Sequence, residues 1–156
     1  MPGHTHEAHG APESLNSVAL SATIHCLTGC AIGEVLGMIL GTALGLSNAM
    51  TIVFSTALAF VAGFTLTALP FLRRGYSLAA AARIAFAADA ASITVMEIVD
   101  NLLMLVIPGA MSASLDSLLF WGSLALSLAV AGVAAFPVNR WLIARGRGHA
   151  VVHAQH

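Results

Sequence analysis

The sequence predicts an all-α fold in which four transmembrane helices form an antiparallel bundle. First, hydrophobic residues make up 58% of the chain and charged residues only 8%, whereas soluble domains carry about 25% charged residues. Second, the apolar residues form four stretches, each able to supply the ~20 residues that a bilayer crossing needs. Third, all six Arg fall in segments that such a bundle places on one side.

The apolar stretches are separated by short connections rich in Ser, Pro and Gly. Residues 1–16 are polar and are predicted to form a disordered tail. This tail contains His4, His6 and His9, and His-rich tracts can bind metal. No basic segment precedes a short apolar one, so we expect no cleavable signal peptide. The membrane domain is predicted over residues 17–144, with spans at 17–46, 49–69, 77–107 and 117–144, followed by a short tail at 145–156.

The distribution of Arg predicts the orientation in the membrane. Four spans put both termini and the connection between the second and third spans on one side, and every Arg lies there. By the positive-inside rule, we expect both termini in the cytoplasm and the protein in a bacterial cytoplasmic (inner) membrane. The lipid bilayer is the expected partner. A net charge of -1 without any Lys argues against binding to nucleic acid.

The first span carries a stripe of glycines. Small residues at every fourth position let a second helix approach closely, so that dispersion and polar contacts hold the two together. The partner helix could be the third span or the first span of a second copy, and a homo-oligomer through this stripe therefore stays open. The stripe consists of Gly29, Gly33, Gly37, Gly41 and Gly45.

A second stripe lies beside the glycines on the same span and carries thiol, carboxyl and thioether side chains. Cys26, Cys30, Glu34 and Met38 also recur at every fourth position. The two thiols lie one helical turn apart, so both can reach one ion. His25 points about 100° away from Cys26 and could complete a site with a neighbouring helix.

The third span contains acids in an otherwise apolar segment. A carboxylate at the centre of a bilayer costs at least ~2.5–3.5 kcal/mol. Together with Glu34, the span's acids make four, and no intramembrane Lys or Arg is available to pair with them. Only protonation, a bound cation or a water-filled path relieves this cost. The polar and Met residues that share a broad face of this span are Asp89, Met96, Glu97, Asp100, Asn101 and Met104.

These residue types predict a metal site in two parts. Thiolate and thioether ligands favour Cu(I), and imidazole with thiolate suits Zn, so the expected metal is Cu or Zn. The softer part combines His25, Cys26 and Cys30, and the harder part joins Glu34 to the third span, with Met38 beside it. The complete set predicted to bind metal is His25, Cys26, Cys30, Glu34, Asp89, Met96, Glu97, Asp100, Asn101 and Met104.

Three motifs resemble those of a bacterial family of small four-span membrane proteins that is classed as a domain of unknown function. They are His-Cys-x-x-Gly-Cys with Gly-Glu over residues 25–34, the acidic and Met positions over 89–104, and Phe-Pro-Val-Asn-Arg-Trp over 136–141. The resemblance covers roughly residues 22–153 and implies a four-helix membrane protein without a settled activity. It also highlights Asn139 and Arg140, which we expect at the membrane interface as an exit anchor.

Three functions remain open. The first is a protein that binds or transports Cu or Zn with proton coupling. The second is a proton-coupled transporter of small cations or drugs, which would resemble small multidrug transporters in its size, four spans and first-span Glu. The third is a redox or haem-binding bundle, or an accessory membrane subunit. No hydrolase arrangement or nucleotide-binding loop is visible, so we do not expect an enzyme.

Overall fold

A computed structural model describes residues 14–147, and within them the fold is entirely helical. The helices are α1 (Leu15–Ala43), α2 (Asn48–Arg73), α3 (Leu78–Val106) and α4 (Leu118–Ala144), with a short 3-10 turn at Ala110–Ser112. The predicted all-α, four-helix fold is therefore confirmed. The three His of the predicted N-terminal tail, and most of the predicted C-terminal tail, lie outside the described residues.

Serine starts each helix. The side chains of Ser14, Ser47, Ser77 and Ser117 accept hydrogen bonds from backbone N–H groups of the first turns, which satisfies donors that the helix itself cannot pair. α2 continues through Pro70 to Arg73, although the sequence predicted its end at residue 69. Proline forgoes one backbone hydrogen bond, but its restricted φ is compatible with a helix, and tertiary packing can offset that loss.

The four helices form a closed ring in which each packs against its two neighbours in the order α1, α2, α3, α4. Gly45 and Gly75 adopt positive φ in the first two connections, which lets the chain reverse within a few residues. Both ends of the described chain and the α2–α3 connection therefore lie at one end of the bundle. We call it the arginine end, because all six Arg lie there, and we call the other the opposite end.

Each of the four helices is long and apolar enough to cross a membrane. Their outer faces expose large hydrophobic side chains, among them Val61, Phe86 and Val133, which are more than half exposed. In water, a surface of this kind would promote aggregation. The apolar exterior therefore supports a membrane protein with transmembrane helices.

The glycine stripe of α1 packs against α2. A Cβ atom at Gly33 would collide with the backbone of Ala59, and one at Gly37 would collide with Ser55. Gly29 and Gly41 make similarly close approaches, to Gly63 and Thr51 of α2. The partner of these four glycines is therefore α2 and not the third span, while Gly45 lies beyond the end of α1 with no side chain or backbone within 4 Å of its Cβ position. A homo-oligomer stays a prediction.

Candidate functional site

A continuous set of polar and sulfur-containing side chains runs through the interior of the bundle. α1 and α3 lie diagonally across the ring, so their inward-facing side chains meet at its centre, and α2 and α4 close the sides with Ser, Thr and Asn. Every member of the set is less than 5% exposed. We call this set the polar column: Cys26, Cys30, Glu34, Ser55, Thr67, Asp89, Ser92, Met96, Glu97, Asp100, Ser127 and Asn139.

Nearest the arginine end, the column links three helices. His25 is half-buried, and its Nε2 atom lies 2.8 Å from Thr67 Oγ1 on α2. The Cys26 thiol donates to Asp89 Oδ1 on α3 at 3.5 Å. Asp89 also lies near Thr67 and His25. Of the predicted softer site, His25 and Cys26 therefore meet around Asp89, while Cys30 faces a different partner.

Asn139 lies next in the column, and its position differs from the prediction. It is only 1% exposed, so it lies inside the bundle rather than at the membrane interface. Its Nδ2 group donates to Thr23 Oγ1 and to Ser92 Oγ, both at 3.0 Å, which joins α4 to α1 and α3. The sequence did not predict Thr23, Ser92 or Asn139 as site residues. The family resemblance pointed to Asn139, but as a residue of the membrane interface.

Two sulfur atoms meet at the middle of the column. The Cys30 thiol lies 3.8 Å from Met96 Sδ, and both side chains are fully buried. Ala59, Ile93 and Ala131 surround them with apolar groups. Thiol and thioether are soft ligands, so this pair is the part of the interior best suited to Cu(I).

Carboxyl groups follow the sulfur pair. The Glu34 carboxyl group lies beside Glu97 and near the Ser55 hydroxyl. Asn101 donates through Nδ2 to the Glu97 backbone carbonyl at 2.9 Å and to Thr56 Oγ1 at 3.2 Å, and it lies 3.4 Å from Glu97 Oε2. The structure therefore brings together Glu34, Glu97 and Asn101, three members of the predicted harder site.

Asp100 turns toward α4. Its Oδ1 atom accepts a short hydrogen bond of 2.5 Å from the Ser127 hydroxyl. Ser127 was not among the predicted site residues, because a lone Ser in an apolar helix usually bonds to its own backbone. Met38 and Met104 lie beyond Asp100 in a cluster with Phe120 near the opposite end.

Several buried oxygen atoms in the polar column and beside it lack a hydrogen-bond donor among the described residues. They are both Oε atoms of Glu34, Oε1 of Glu97, Oδ2 of Asp100, and the side-chain oxygens of Asn101 and Asn139. All are acceptors, so a donor or a cation would satisfy them. The six Arg side chains are exposed at the arginine end and do not enter this interior.

The arrangement restricts the kind of metal site. Among the described residues, no group of three or more His, Cys, Asp and Glu side chains is spaced to hold a metal ion. A preformed Zn site, which takes four ligands in tetrahedral geometry, is therefore not found in this part of the chain. The Cys30–Met96 pair is a different kind of arrangement, since it offers only two ligands and one of them is a thioether.

A pocket of about 310 Å³ opens at the opposite end of the bundle. The α1–α2 turn and the α3–α4 connection form its walls, with Thr42, Asn48 and Ser112 among the lining residues. Met38 also lines it, one helical turn from Glu34 on α1. The pocket therefore approaches the column from the end that lacks Arg.

Residues 16–148 match a protein family described as a domain of unknown function, DUF4396. The chain belongs to this family. The DUF4396 match extends over nearly all of the four helices and includes the whole polar column, and it confirms the expected membership of a family classed as a domain of unknown function. No curated protein and no solved structure matches the chain.

Proposed function

We propose that the protein binds a transition-metal cation, Cu or Zn, inside the membrane in exchange for protons, and transports it. One observation carries the proposal: Glu34, Glu97 and Asp100 are buried, and each has a carboxyl oxygen without a hydrogen-bond donor. The Arg side chains are all exposed at one end. A carboxylate in a bilayer without compensation is costly, so these acids hold protons or face a cation.

The sulfur pair favours copper over zinc as the cation. Cys30 and Met96 offer two soft ligands in contact, and Cys26 lies one helical turn from Cys30 with Asp89 beside it. Soft sulfur ligands select Cu(I), whereas a Zn site needs a larger preassembled set. Thiols and carboxyl groups lose protons when they bind a metal, so uptake would release protons.

The proposed route follows the polar column. The Arg distribution favours a cytoplasmic location for the arginine end, in a bacterial inner membrane. A cation would pass between the region of His25 and Asp89 and the pocket at the opposite end, through the sulfur pair and the Glu34–Glu97 region.

Metal content of the purified protein tests the proposal. Detergent-solubilised protein is incubated with Cu(I) under reducing conditions or with Zn(II), desalted, and measured by elemental analysis. We expect stoichiometric copper, and its loss in the Cys26→Ala/Cys30→Ala double variant. Thr28→Ala, an exposed change on the same helix, serves as the control. The proposal is refuted if the wild-type protein binds neither metal with a Kd below about 100 μM.

Proton release tests the coupling separately. Addition of Cu(I) to the protein in weakly buffered detergent solution should acidify the solution, and a pH-indicator dye reports the change. Glu34→Gln should reduce the number of protons released per metal bound. Asp116→Asn alters an exposed acid in the α3–α4 connection and should leave that number unchanged. Equal proton release from all three proteins would exclude Glu34 from the coupling.

A second candidate is a proton-coupled transporter of small organic cations. The pocket at the opposite end supports it, because the pocket reaches Met38 and Glu34 lies one turn deeper. Uptake of ethidium into proteoliposomes under a pH gradient distinguishes the two functions. This candidate requires that Glu34→Gln abolishes uptake and that Cys26→Ala/Cys30→Ala does not.

A further inference from the structure

An apolar groove of about 330 Å³ runs along the outside of the bundle between α1 and α4. Leu20, Ile24 and Leu27 form one wall, and Val133 and Phe136 belong to the other. Gly132 lies between the walls, and without a side chain it leaves the groove deep; a Cβ there would come within 3.3 Å of Leu27. Among the described residues that line the groove, Thr23 alone is polar, and its hydroxyl donates to the Ala19 carbonyl.

A hydrogen bond joins α1 to α4 one helical turn beyond the groove, toward the arginine end. Asn16 lies four residues before Leu20, and Arg140 lies four residues after Phe136, so each continues the helix face that forms its wall. Arg140 Nε donates to Asn16 Oδ1 at 2.7 Å and joins the two walls. This bond uses one of the five N–H donors of the guanidinium group, which is exposed.

A second cation lies near the same end. The guanidinium carbon of Arg145 stacks 4.2 Å from the centre of the Trp141 ring, which holds that positive charge close to the end of α4. Trp141 is 49% exposed, as expected for an aromatic residue at a membrane interface. The groove therefore has an apolar body and a positively charged end.

We propose that this groove is a binding site for an anionic phospholipid. One acyl chain lies between α1 and α4, and the phosphate group binds the Arg140 guanidinium group. A basic pocket between transmembrane helices at the end of an apolar cleft suits such a head group. The groove matches such a lipid in shape and in charge, and the lipid site does not depend on metal binding in the interior.

Lipid binding to the delipidated protein tests the charged end of the site. The detergent-solubilised chain is titrated with dioleoylphosphatidylglycerol, with dioleoylphosphatidylcholine and with glycerol 3-phosphate, and native mass spectrometry reports the bound fraction. Phosphatidylglycerol should bind most tightly. Arg140→Gln should weaken its binding about tenfold, since a hydrogen bond to a charged group is lost. Arg73→Gln, an exposed Arg at the end of α2, should leave binding unchanged.

A second pair of variants tests the apolar body. Ala129→Phe should fill the groove and reduce phosphatidylglycerol binding, whereas Ala125→Phe is the same change on an exposed part of α4 outside the groove. Both residues face outward, so both variants should elute from gel filtration as the wild type does. Normal elution confirms that a loss of binding reflects the groove rather than misfolding.

Five results would overturn the lipid site. If Arg140→Gln binds phosphatidylglycerol as tightly as the wild type, Arg140 does not bind the phosphate group. If Ala129→Phe does so, the acyl chain does not lie in the groove. Equal affinity for phosphatidylcholine would exclude recognition of an anionic lipid. Equal affinity for glycerol 3-phosphate would reduce the site to a phosphate-binding Arg. A dimer of the delipidated protein that Ala129→Phe dissociates, and that lipid does not affect, would identify the groove as an interface between two copies of the chain.

Discussion

The Cys30 thiol and the Met96 thioether lie 3.8 Å apart where α1 and α3 meet across the bundle, and neither is accessible to solvent. The two residues are 66 positions apart in the chain, and the contact joins the two spans that the sequence had marked separately as chemically unusual. This pair of soft ligands lies between the Cys26–Asp89 contact on one side and the Glu34 and Glu97 carboxyl groups on the other.

Met96→Leu should weaken Cu(I) binding by about tenfold or more, because the change removes a sulfur ligand. Leucine conserves most of the volume, so the free energy of unfolding should change by less than about 1.5 kcal/mol. Competition with a Cu(I) chelator measures the affinity. Met50→Leu is the control, since Met50 is 54% exposed at the start of α2. The same affinity in both variants would exclude Met96 as a ligand.

Gly33→Ala should destabilise the protein by about 1–3 kcal/mol, because the added methyl group forces α1 away from the Ala59 backbone. Unfolding in mixed micelles of increasing SDS content measures the change. Gly122→Ala makes the same change on α4, where a Cβ would meet nothing within 4 Å, and it should not destabilise the fold. If both variants are equally stable, the close packing of α1 on α2 contributes little.

The hydrogen bond from Ser127 to Asp100 should show a coupling energy of about 0.6 kcal/mol and at most about 1.7 kcal/mol, the average and the maximum found for hydrogen bonds between transmembrane helices. A double-mutant cycle of Ser127→Ala and Asp100→Ala, followed by SDS unfolding, measures it. The parallel cycle with Ser123→Ala should show coupling near zero. Ser123 is buried one turn earlier on α4 and makes no hydrogen bond to Asp100 among the described contacts. Additive effects in the first cycle would contradict the bond.

Asn139→Leu should lower stability by about 1–2 kcal/mol, because the amide joins α4 to hydroxyl groups on α1 and α3. The joining role has its own test. Thr23→Val should cost less in the Asn139→Leu background than in the wild type, since its partner is already gone. Thr28→Val is the control, because the exposed Thr28 hydroxyl bonds only to its own helix at Ile24. Its cost should be the same in both backgrounds.

Much of the fold followed from local signals. Long apolar stretches defined the four helices to within a few residues, and the short connections after residues 43 and 73 required antiparallel neighbours. The predicted end of α2 at residue 69 is too early, because the helix continues past Pro70 to Arg73 despite the backbone hydrogen bond that proline cannot make. The pairing of α1 with α2 through the glycine stripe was also missed, since a stripe of small residues indicates close packing but not its partner.

The candidate site was predictable in its acids and sulfur residues but not in its connections. Charged side chains are rare in apolar spans, so Glu34 and Glu97 stood out at once, and Cys30 did so because it lies on the same helix stripe as Glu34. Ser127 and Asn139 did not, because a hydroxyl or amide gains significance in a membrane only from the group that it contacts. Those contacts join residues far apart in the chain, such as Asn139 and Thr23, which are 116 positions apart.

By itself, the sequence determined that the chain forms four apolar helices and that two of them carry acids, thiols and thioethers. Periodicity and composition suffice for this, because each helix satisfies its own backbone and needs no partner to form in a membrane. Only the tertiary structure decided which side chains meet. It packed α2 against the glycines of α1 and directed the Asn139 side chain into the bundle. It also placed the Cys26 thiol beside Asp89 and the Cys30 thiol beside Met96. The rotation of each helix about its axis controls these contacts, and that rotation results from packing among all four helices.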